Sequence, residues 1–583
     1  MARETEQPAE LTVDVLVVGS GGGGMTAALT ARAAGLDTLL VEKAARFGGS
    51  TALSGGGIWI PGARAQVKAG YRPDPGEVFG YLKTITAGEV PDARLRRYVE
   101  AGPRMLDLVD RLTDADLVWK PGYPDYYPEV PGGSARGSVI NLEPVDLRVL
   151  GRDEEKLLKP EGQAPRGMWM RPLELRTFYT IRQSWRGKLI LLRFVWRMLR
   201  ARVLGERVAG LGQALAAHLW LGLRRLDARI WLESPMKSLI TADGRVVGAV
   251  VEHEGRTVRV MARGGVVLAS GGFDHDAGLR DEHHPYLDAD WSFGAPENTG
   301  DGLRAGLETG AAVRHMDEAW WFPTLAWPDG RKQMLLNERM MPAQFIVNRA
   351  GRRFINEASP YTDFGHAMIA GREGGVEHIP CWLITDIRSW RRYVIAGHLP
   401  LPRIPFAPAP TGYSVPKAWL DSGAVKQAGS WPELAAQIGV PAAALAETAR
   451  RYNELAARGH DDDFGRGESA YDHYYGDPTL PNPNLAPLGE PPYIAFRIVL
   501  GDLGTNGGLL TDENARVLRR DGGPIDGLYA VGNASAAVMG RTYAGAGATI
   551  GPAMTFGYVA AEHVAERLRR PSGTAPSREE ESA

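Results

Sequence analysis

The chain has 583 residues, enough for two or three domains and a large buried core. Its 67 basic and 69 acidic residues nearly cancel, so composition points to no nucleic acid or other polyanionic partner. A single cysteine, Cys381, excludes a disulfide framework, a Cys-rich zinc site, an iron–sulfur cluster and a CxxCH haem attachment, leaving redox chemistry to an organic cofactor.

In chain order, residues 1–9 and 571–583 are polar and are expected to be flexible tails. The N-terminus lacks a basic segment followed by an apolar stretch, and no run approaches the roughly 18 apolar residues of a spanning helix. A cytoplasmic protein is the expectation. The opening reads as βαβ: the strand VDVLVVG (13–19), a glycine cluster, the helix MTAALTARAAG (25–35) and the strand TLLVEK (38–43).

A basic, helical insertion follows over about 151–225. Within it KLILLRFVWRMLRARVL (188–204) mixes apolar residues with Lys188, Arg193, Arg197, Arg200 and Arg202. The favoured reading is a packed helix whose arginine stems cover apolar surface; the other is an amphipathic helix lying on a membrane. Next come the helix GLGQALAAHLWLGLRRL (210–226), the strand IWLESPMKSLI (230–240) and a hairpin over 244–262. The strand GGVVLASGGF (264–273) returns to the nucleotide-binding part. Residues 319–493, rich in Trp, Pro and loop signals, read as a separate module. The strand IDGLYAVGN (525–533) and the helix GPAMTFGYVAAEHVAERL (551–568) close the chain.

Gly19-Ser20-Gly21 through Gly24 is a GxGxxG between strand and helix, with Met25 opening the helix. Its logic is a tight turn at Gly19, close backbone approach at Gly21, helix–strand packing at Gly24, and a pyrophosphate on the positive helix end. Glu42 ends the second strand, where a carboxylate accepts from ribose hydroxyls, and Lys43 follows it. A second loop, FGGSTALSGGG (47–57), offers Gly49, Ser50, Thr51, Ser54, Gly55, Gly56 and Gly57 along an extended dinucleotide. The turn Ala269-Ser270-Gly271 and Asp301 of NTGDG (298–302) are assigned to the same cofactor. So are Gly532, Asn533, Gly547, Thr549 and Ile550, where a helix start would stabilise charge on a reduced flavin. No second GxGxxG serves a nicotinamide, so FAD is favoured over NAD. The 47–57 loop has no His or Cys for attachment, so binding is expected to be non-covalent. The fold class is α/β: a discontinuous Rossmann-like FAD-binding domain (10–318 and 494–570) with an inserted α+β catalytic and substrate-binding domain (319–493).

The opening GSGGGGMTAALTARAAGL…VEKAARFGGSTALSGGGIWIPG resembles the 3-ketosteroid Δ1-dehydrogenases, a branch of the fumarate reductase-like flavoproteins. So do GYPDYYPEVPGG (122–133), NRAGRRFINEASPY (348–361), GDLGTNGGLLTDENARVL (501–518) and GRTYAGAGATIGPAMTFGY (540–558), and the likeness spans most of 12–565. The motif G-aromatic-x-D-Y implies a catalytic Tyr126 with Tyr123 as pocket wall. GxRFxNExxxY implies Tyr361; YxGxG implies Tyr543 and the backbone donor Gly547. Ala544 departs from the proline the family usually has there. Trp320, Trp321 and Phe322 are candidates for lining the steroid slot, with core packing the favoured reading.

The implied reaction converts a 4-en-3-one into a 1,4-dien-3-one. Tyr543 and the Gly547 N–H polarise the C3 carbonyl, Tyr361 takes the C2 proton with help from Tyr126, and hydride passes from C1 to flavin N5. The implied partners are a 3-ketosteroid and an electron acceptor, for which a quinone is a candidate, with peripheral membrane contact through 188–204. Three alternatives stand beside this reading. One is a 3-oxo-5α-steroid 4-dehydrogenase. Another is an enoate reductase using Arg352, Arg353 or Arg541 as a carboxylate clamp, and the third a membrane-surface flavin-binding protein without turnover. His275, His315 and His366 lack metal-ligand spacing, so no metal is expected.

Overall fold

The computed structural model describes residues 9–569 apart from 161–168, 170, 172–173, 288–289 and 405–408, so the expected tails, Ala9 excepted, lie outside it. The first of its two large sheets has eight strands, with a parallel centre. Pro524–Ala530, Arg256–Leu268, Ala9–Val18, Thr38–Val41 and Arg229–Trp231 lie side by side in that order. Leu16 stands opposite Val266 on one side and Leu39 on the other. Both faces of these strands are covered, which is why VLVV (15–18) and TLLV (38–41) are continuous apolar runs. The hairpin Met236–Ala242 with Arg245–His253 and the edge strand Arg516–Leu518 are antiparallel additions.

Because the central strands run parallel, their carboxyl ends share one edge, and the turns starting at Gly19, Glu42, Ala269 and Val531 all leave from it. The helices Gly22–Ala33 and Ile550–Arg569 pack closely: a Cβ on Gly557 would stand 2.3 Å from the Gly23 carbonyl oxygen. One local expectation fails. The strand read over 230–240 is two strands, broken where Glu233 turns through φ +51° ahead of Pro235, which has no N–H for a ladder.

The second sheet is antiparallel and six-stranded. Its long strand Tyr493–Thr505 pairs with Ala319–Ala326, Cys381–Asp386 and Val425–Ala428. The chain therefore rejoins the first sheet only with Arg516–Leu518 and Pro524–Ala530.

The basic segment 188–204 lies in the helix Trp185–Leu204, whose first turn is capped by the Ser184 hydroxyl accepting from the Gly187 N–H. Gly187, Ile190, Phe194 and Ala201 face inward, and Arg193 and Arg197 pair with Glu174. The expected packed helix describes that face. The other is uncovered: Trp185 (79% exposed), Leu189, Leu192, Trp196 (65%), Leu199 and Val203 (80%) recur at spacings of four and three as one apolar stripe. No helix among the described residues is long and apolar enough to cross a membrane.

Candidate active site

At the carboxyl edge of the parallel sheet, Gly19 has φ +108°, and a Cβ there would lie 2.3 Å from the Ala269 carbonyl oxygen. No side chain caps the helix that begins after Gly21, although Thr51 Oγ1 accepts from the Gly22 N–H at 2.9 Å. Glu42 is pre-positioned: one carboxylate oxygen accepts from the Ser20 N–H (2.9 Å) and hydroxyl (2.7 Å), the other from the Ala44 N–H (2.9 Å). Lys43 donates to Thr299 (2.6 Å) and Asp301 (2.8 Å), and Ser50 accepts from the Ala295 N–H and Asn298. The Ser54 hydroxyl donates to the Thr51 carbonyl and accepts from the Gly56 N–H. Ser270 Oγ lines the cavity, buried and without a hydrogen-bond partner among the described residues. A side-chain-free phosphate turn, an oriented ribose carboxylate and an unpaired hydroxyl fit an FAD.

The other end is built from three loops. Asp125 anchors the first: its carboxyl accepts from Trp59 Nε1 (2.8 Å), the Ser134 N–H (3.1 Å) and the Ser138 hydroxyl (3.4 Å), and burial raises its pKa to about 7. Tyr361 opens the helix Tyr361–Glu373, placed against the second sheet where Gly365 lets the helix approach Trp321. Tyr543 sits in the loop before the helix Ile550–Arg569. The ring centroids are 5.5 Å apart for Tyr126–Tyr361, 5.3 Å for Tyr126–Tyr543 and 5.0 Å for Tyr361–Tyr543. Phe322 packs on Tyr361 at 4.6 Å and Tyr471 on Tyr126 at 4.6 Å.

Gly547 has φ +91°, and a Cβ there would lie 2.3 Å from the Gly57 carbonyl oxygen, so this turn tolerates no side chain. Among the described residues no backbone carbonyl accepts from its N–H. Burial raises the Tyr543 phenol, while hydrogen bonds with Thr549, Tyr361 and the amides of Gly547 and Thr549 oppose the rise. Burial also pushes Tyr361 and Tyr126 well up, with their phenol neighbours adding to it.

Both ends share one continuous cavity. It is lined by Gly19, Ser20, Gly21, Glu42, Lys43, Gly49, Ser50, Thr51, Ser54, Gly55, Gly56, Gly57, Ala269, Ser270, Gly271, Asp301, Gly532, Asn533, Thr549 and Ile550. Tyr123, Tyr126, Phe322, Tyr361, Tyr543 and Gly547 complete it at the phenol end.

Three expected residues do not reach it. Gly24 is a packing contact, since a Cβ there would stand 1.9 Å from the Gly19 carbonyl oxygen, and Met25 is a core residue. Trp320 stands behind Tyr543 rather than on the slot: its ring meets Tyr543 edge-on at 5.2 Å, and its Nε1 donates to Asn533 at 3.2 Å. The sequence reading missed Lys120, Tyr475, Met334 and Leu336, and also Leu158 and Leu211, which flank the basic helix. The cluster of Tyr471, Tyr474 and Tyr475 was a usable signal; nothing in the sequence distinguished Lys120.

The arginines considered as a carboxylate clamp are elsewhere. Arg353 binds Glu357 and Asp461, Arg541 binds Asp317 and Glu318, and Arg352 is exposed. His275 and His366 each contact a single carboxylate, of Asp290 and Glu318, and His315 lies 3.8 Å from Glu89.

The parallel sheet, its glycine turn and a cavity running from that turn to the phenols define an FAD-binding flavoprotein. Residues 14–550 match the FAD binding domain family. The 3-oxosteroid 1-dehydrogenase of Mycobacterium tuberculosis (strain ATCC 25618 / H37Rv) is 43% identical over 565 residues, 95% of this chain and 98% of its own length. The chain belongs to the 3-oxosteroid 1-dehydrogenase family. The crystal structure of 3-ketosteroid delta1-dehydrogenase from Sterolibacterium denitrificans, in complex with 1,4-androstadiene-3,17-dione, matches with TM-score 0.86 and 38% identity. That match covers 95% of this chain and 100% of the other. The 4-oxocyclohexanecarboxylate 2-dehydrogenase of Sinomonas cyclohexanicum is 36% identical across 95% of this chain and 93% of its own length.

Proposed function

We propose that the chain desaturates the C1–C2 bond of 3-ketosteroids, turning a 4-en-3-one into a 1,4-dien-3-one. The observation that carries this reading is three phenols with centroids 5.0–5.5 Å apart, on a cavity continuous with the dinucleotide turn. A ketone oxygen received by the Tyr543 hydroxyl and Gly547 N–H would be stabilised as it becomes an enolate, each donor contributing roughly 2.7–4 kcal/mol. The C2 proton passes to Tyr361. That phenol rests protonated because of burial; hydrogen bonding with Tyr126 works against the rise and offers the proton an exit. FAD, when bound, supplies the two-electron acceptor for the C1 hydride.

Aromatic side chains suit an apolar steroid, where a carboxylate base would carry a heavy desolvation cost. The Sinomonas relative is named for a single-ring ketone, which agrees with chemistry set by the ketone rather than by the steroid skeleton. Among the described residues the cavity lining contains no His or Cys, in keeping with non-covalent FAD. The division into an FAD-binding part (10–318 and 494–570) and a catalytic part (319–493) belongs to the same reading, except that the strand Tyr493–Thr505 completes the sheet of the catalytic part. Tyr361 and Phe322 come from the second, Tyr126, Tyr543 and Gly547 from the first.

The helix Trp185–Leu204 seats the protein on the anionic cytoplasmic face of a bilayer. Its two tryptophans and four aliphatic side chains enter the interface, and Arg186, Lys188 and Arg202 are exposed beside them. Two copies facing each other would oppose like charges, which favours lipid over self-association. A membrane quinone is then the natural acceptor.

Anaerobic addition of a 4-en-3-one steroid should bleach the yellow protein and release the 1,4-dien-3-one. An unbleached flavin, or a product altered at the 4,5-bond, refutes the assignment.

A further inference from the structure

Lys120 follows the strand Leu117–Trp119 and enters the turn through Gly122, which has φ +75°. Its N–H donates to the Val139 carbonyl at 3.1 Å, and the Gly122 N–H to the Arg136 carbonyl at 2.8 Å, fixing the side chain on the cavity wall. It is 4% exposed. Its ammonium lies 4.4 Å from the centroid of Tyr123 and 5.5 Å from that of Tyr474, and over none of the rings of Tyr126, Tyr361 and Tyr543. No carboxylate or hydrogen-bond acceptor among the described residues engages it; burial alone lowers its pKa, to about 7. Lys43, by contrast, has Asp301.

A buried amine with only ring faces for company is an incomplete site. Cation–π contact recovers part of the lost hydration, and an entering carboxylate would recover much more through a charge-assisted bond in a dry setting. Neutral carbonyls gain less, because they carry no full charge to set against the ammonium. The Lys120 ammonium packs on the face of Tyr123, beside the phenol end of the cavity, so the anion it meets lies within the substrate pocket.

We propose that Lys120 forms an anion-recognising subsite of the substrate pocket, and that the chain prefers 3-ketosteroids bearing a carboxylate. This rests on the ketosteroid reading above.

The test compares a 4-en-3-one steroid carrying a side-chain carboxylic acid with its methyl ester, using the flavin-loaded enzyme. The acid should show kcat/KM at least about tenfold above the ester. In Lys120→Met and Lys120→Gln that ratio should fall to about one, with flavin content reporting that the variants fold. A parent enzyme that turns over both compounds alike overturns the subsite without any variant, and so does an acid preference that survives both substitutions. Turnover of neither compound overturns the ketosteroid reading itself, and this proposal with it.

Discussion

The Tyr126 N–H donates to the Ala544 carbonyl oxygen at 3.0 Å, tying the loop that carries one phenol to the loop that carries another. The Tyr81 hydroxyl donates to the same oxygen at 2.7 Å. The spacing of Tyr126 and Tyr543 is thus set by main chain. A residue with any side chain at 544 can supply that carbonyl, which is how alanine serves where proline is usual in the resembling family.

Ala544→Pro follows directly. The Ala544 N–H has no acceptor among the described residues, so proline removes no bond and restricts the unfolded chain. The expected gain is about 0.4–1 kcal/mol, read as a rise of roughly 1–3 °C in Tm at unchanged flavin content. A lower Tm would mean that the backbone at 544 is incompatible with the ring.

Tyr361→Phe keeps the contacts with Phe322 and Tyr126 but removes the proton acceptor. Flavin content should be retained while steroid turnover falls by about 10²–10⁴. Near-parental turnover would remove Tyr361 from the mechanism.

Gly24→Ala places a Cβ 1.9 Å from the Gly19 carbonyl oxygen, backbone that cannot yield without opening the turn. The purified variant should carry little or no flavin, measured by absorbance. A fully yellow variant would show that the helix can slide away from the strand.

Lys120 makes stability depend on pH. Its folded pKa is lowered to about 7, so the folded state binds fewer protons than the unfolded chain between about 7 and 10.4. Stability from this group is present above the unfolded pKa and is lost as pH falls toward 7, by on the order of 1.4 kcal/mol per pH unit. Lys120→Met should therefore raise Tm more at pH 7 than at pH 9. An equal increment at both values would place the amine in a more hydrated setting than its burial indicates.

The exposed stripe of the helix Trp185–Leu204 gives a fifth test. The protein should sediment with anionic vesicles more than with zwitterionic ones, and Trp185→Ser/Trp196→Ser should release it. Equal sedimentation of parent and double variant would separate binding from this face.

The glycine turn and Glu42 were legible because their logic is local: a strand, a turn and a helix start within a few residues of one another. The phenol positions could be read only through resemblance, since Tyr126, Tyr361 and Tyr543 come from loops far apart in the chain. Trp320 suits by type both a slot and the layer behind it, and the hydrogen bond to Asn533, over two hundred positions away, puts it in that layer. The helix over 188–204 was recognised, but periodicity names two faces without saying that only one finds a neighbour. Lys120 was invisible for a simpler reason: one lysine among 67 basic residues acquires meaning only when its surroundings are dry.

The docking of Ile550–Arg569 on Gly22–Ala33 has a consequence for synthesis. The phosphate turn emerges from the ribosome long before its supporting partner and the Tyr543 loop are translated. Flavin capture must therefore wait for both, and a chain truncated before residue 540 should accumulate colourless.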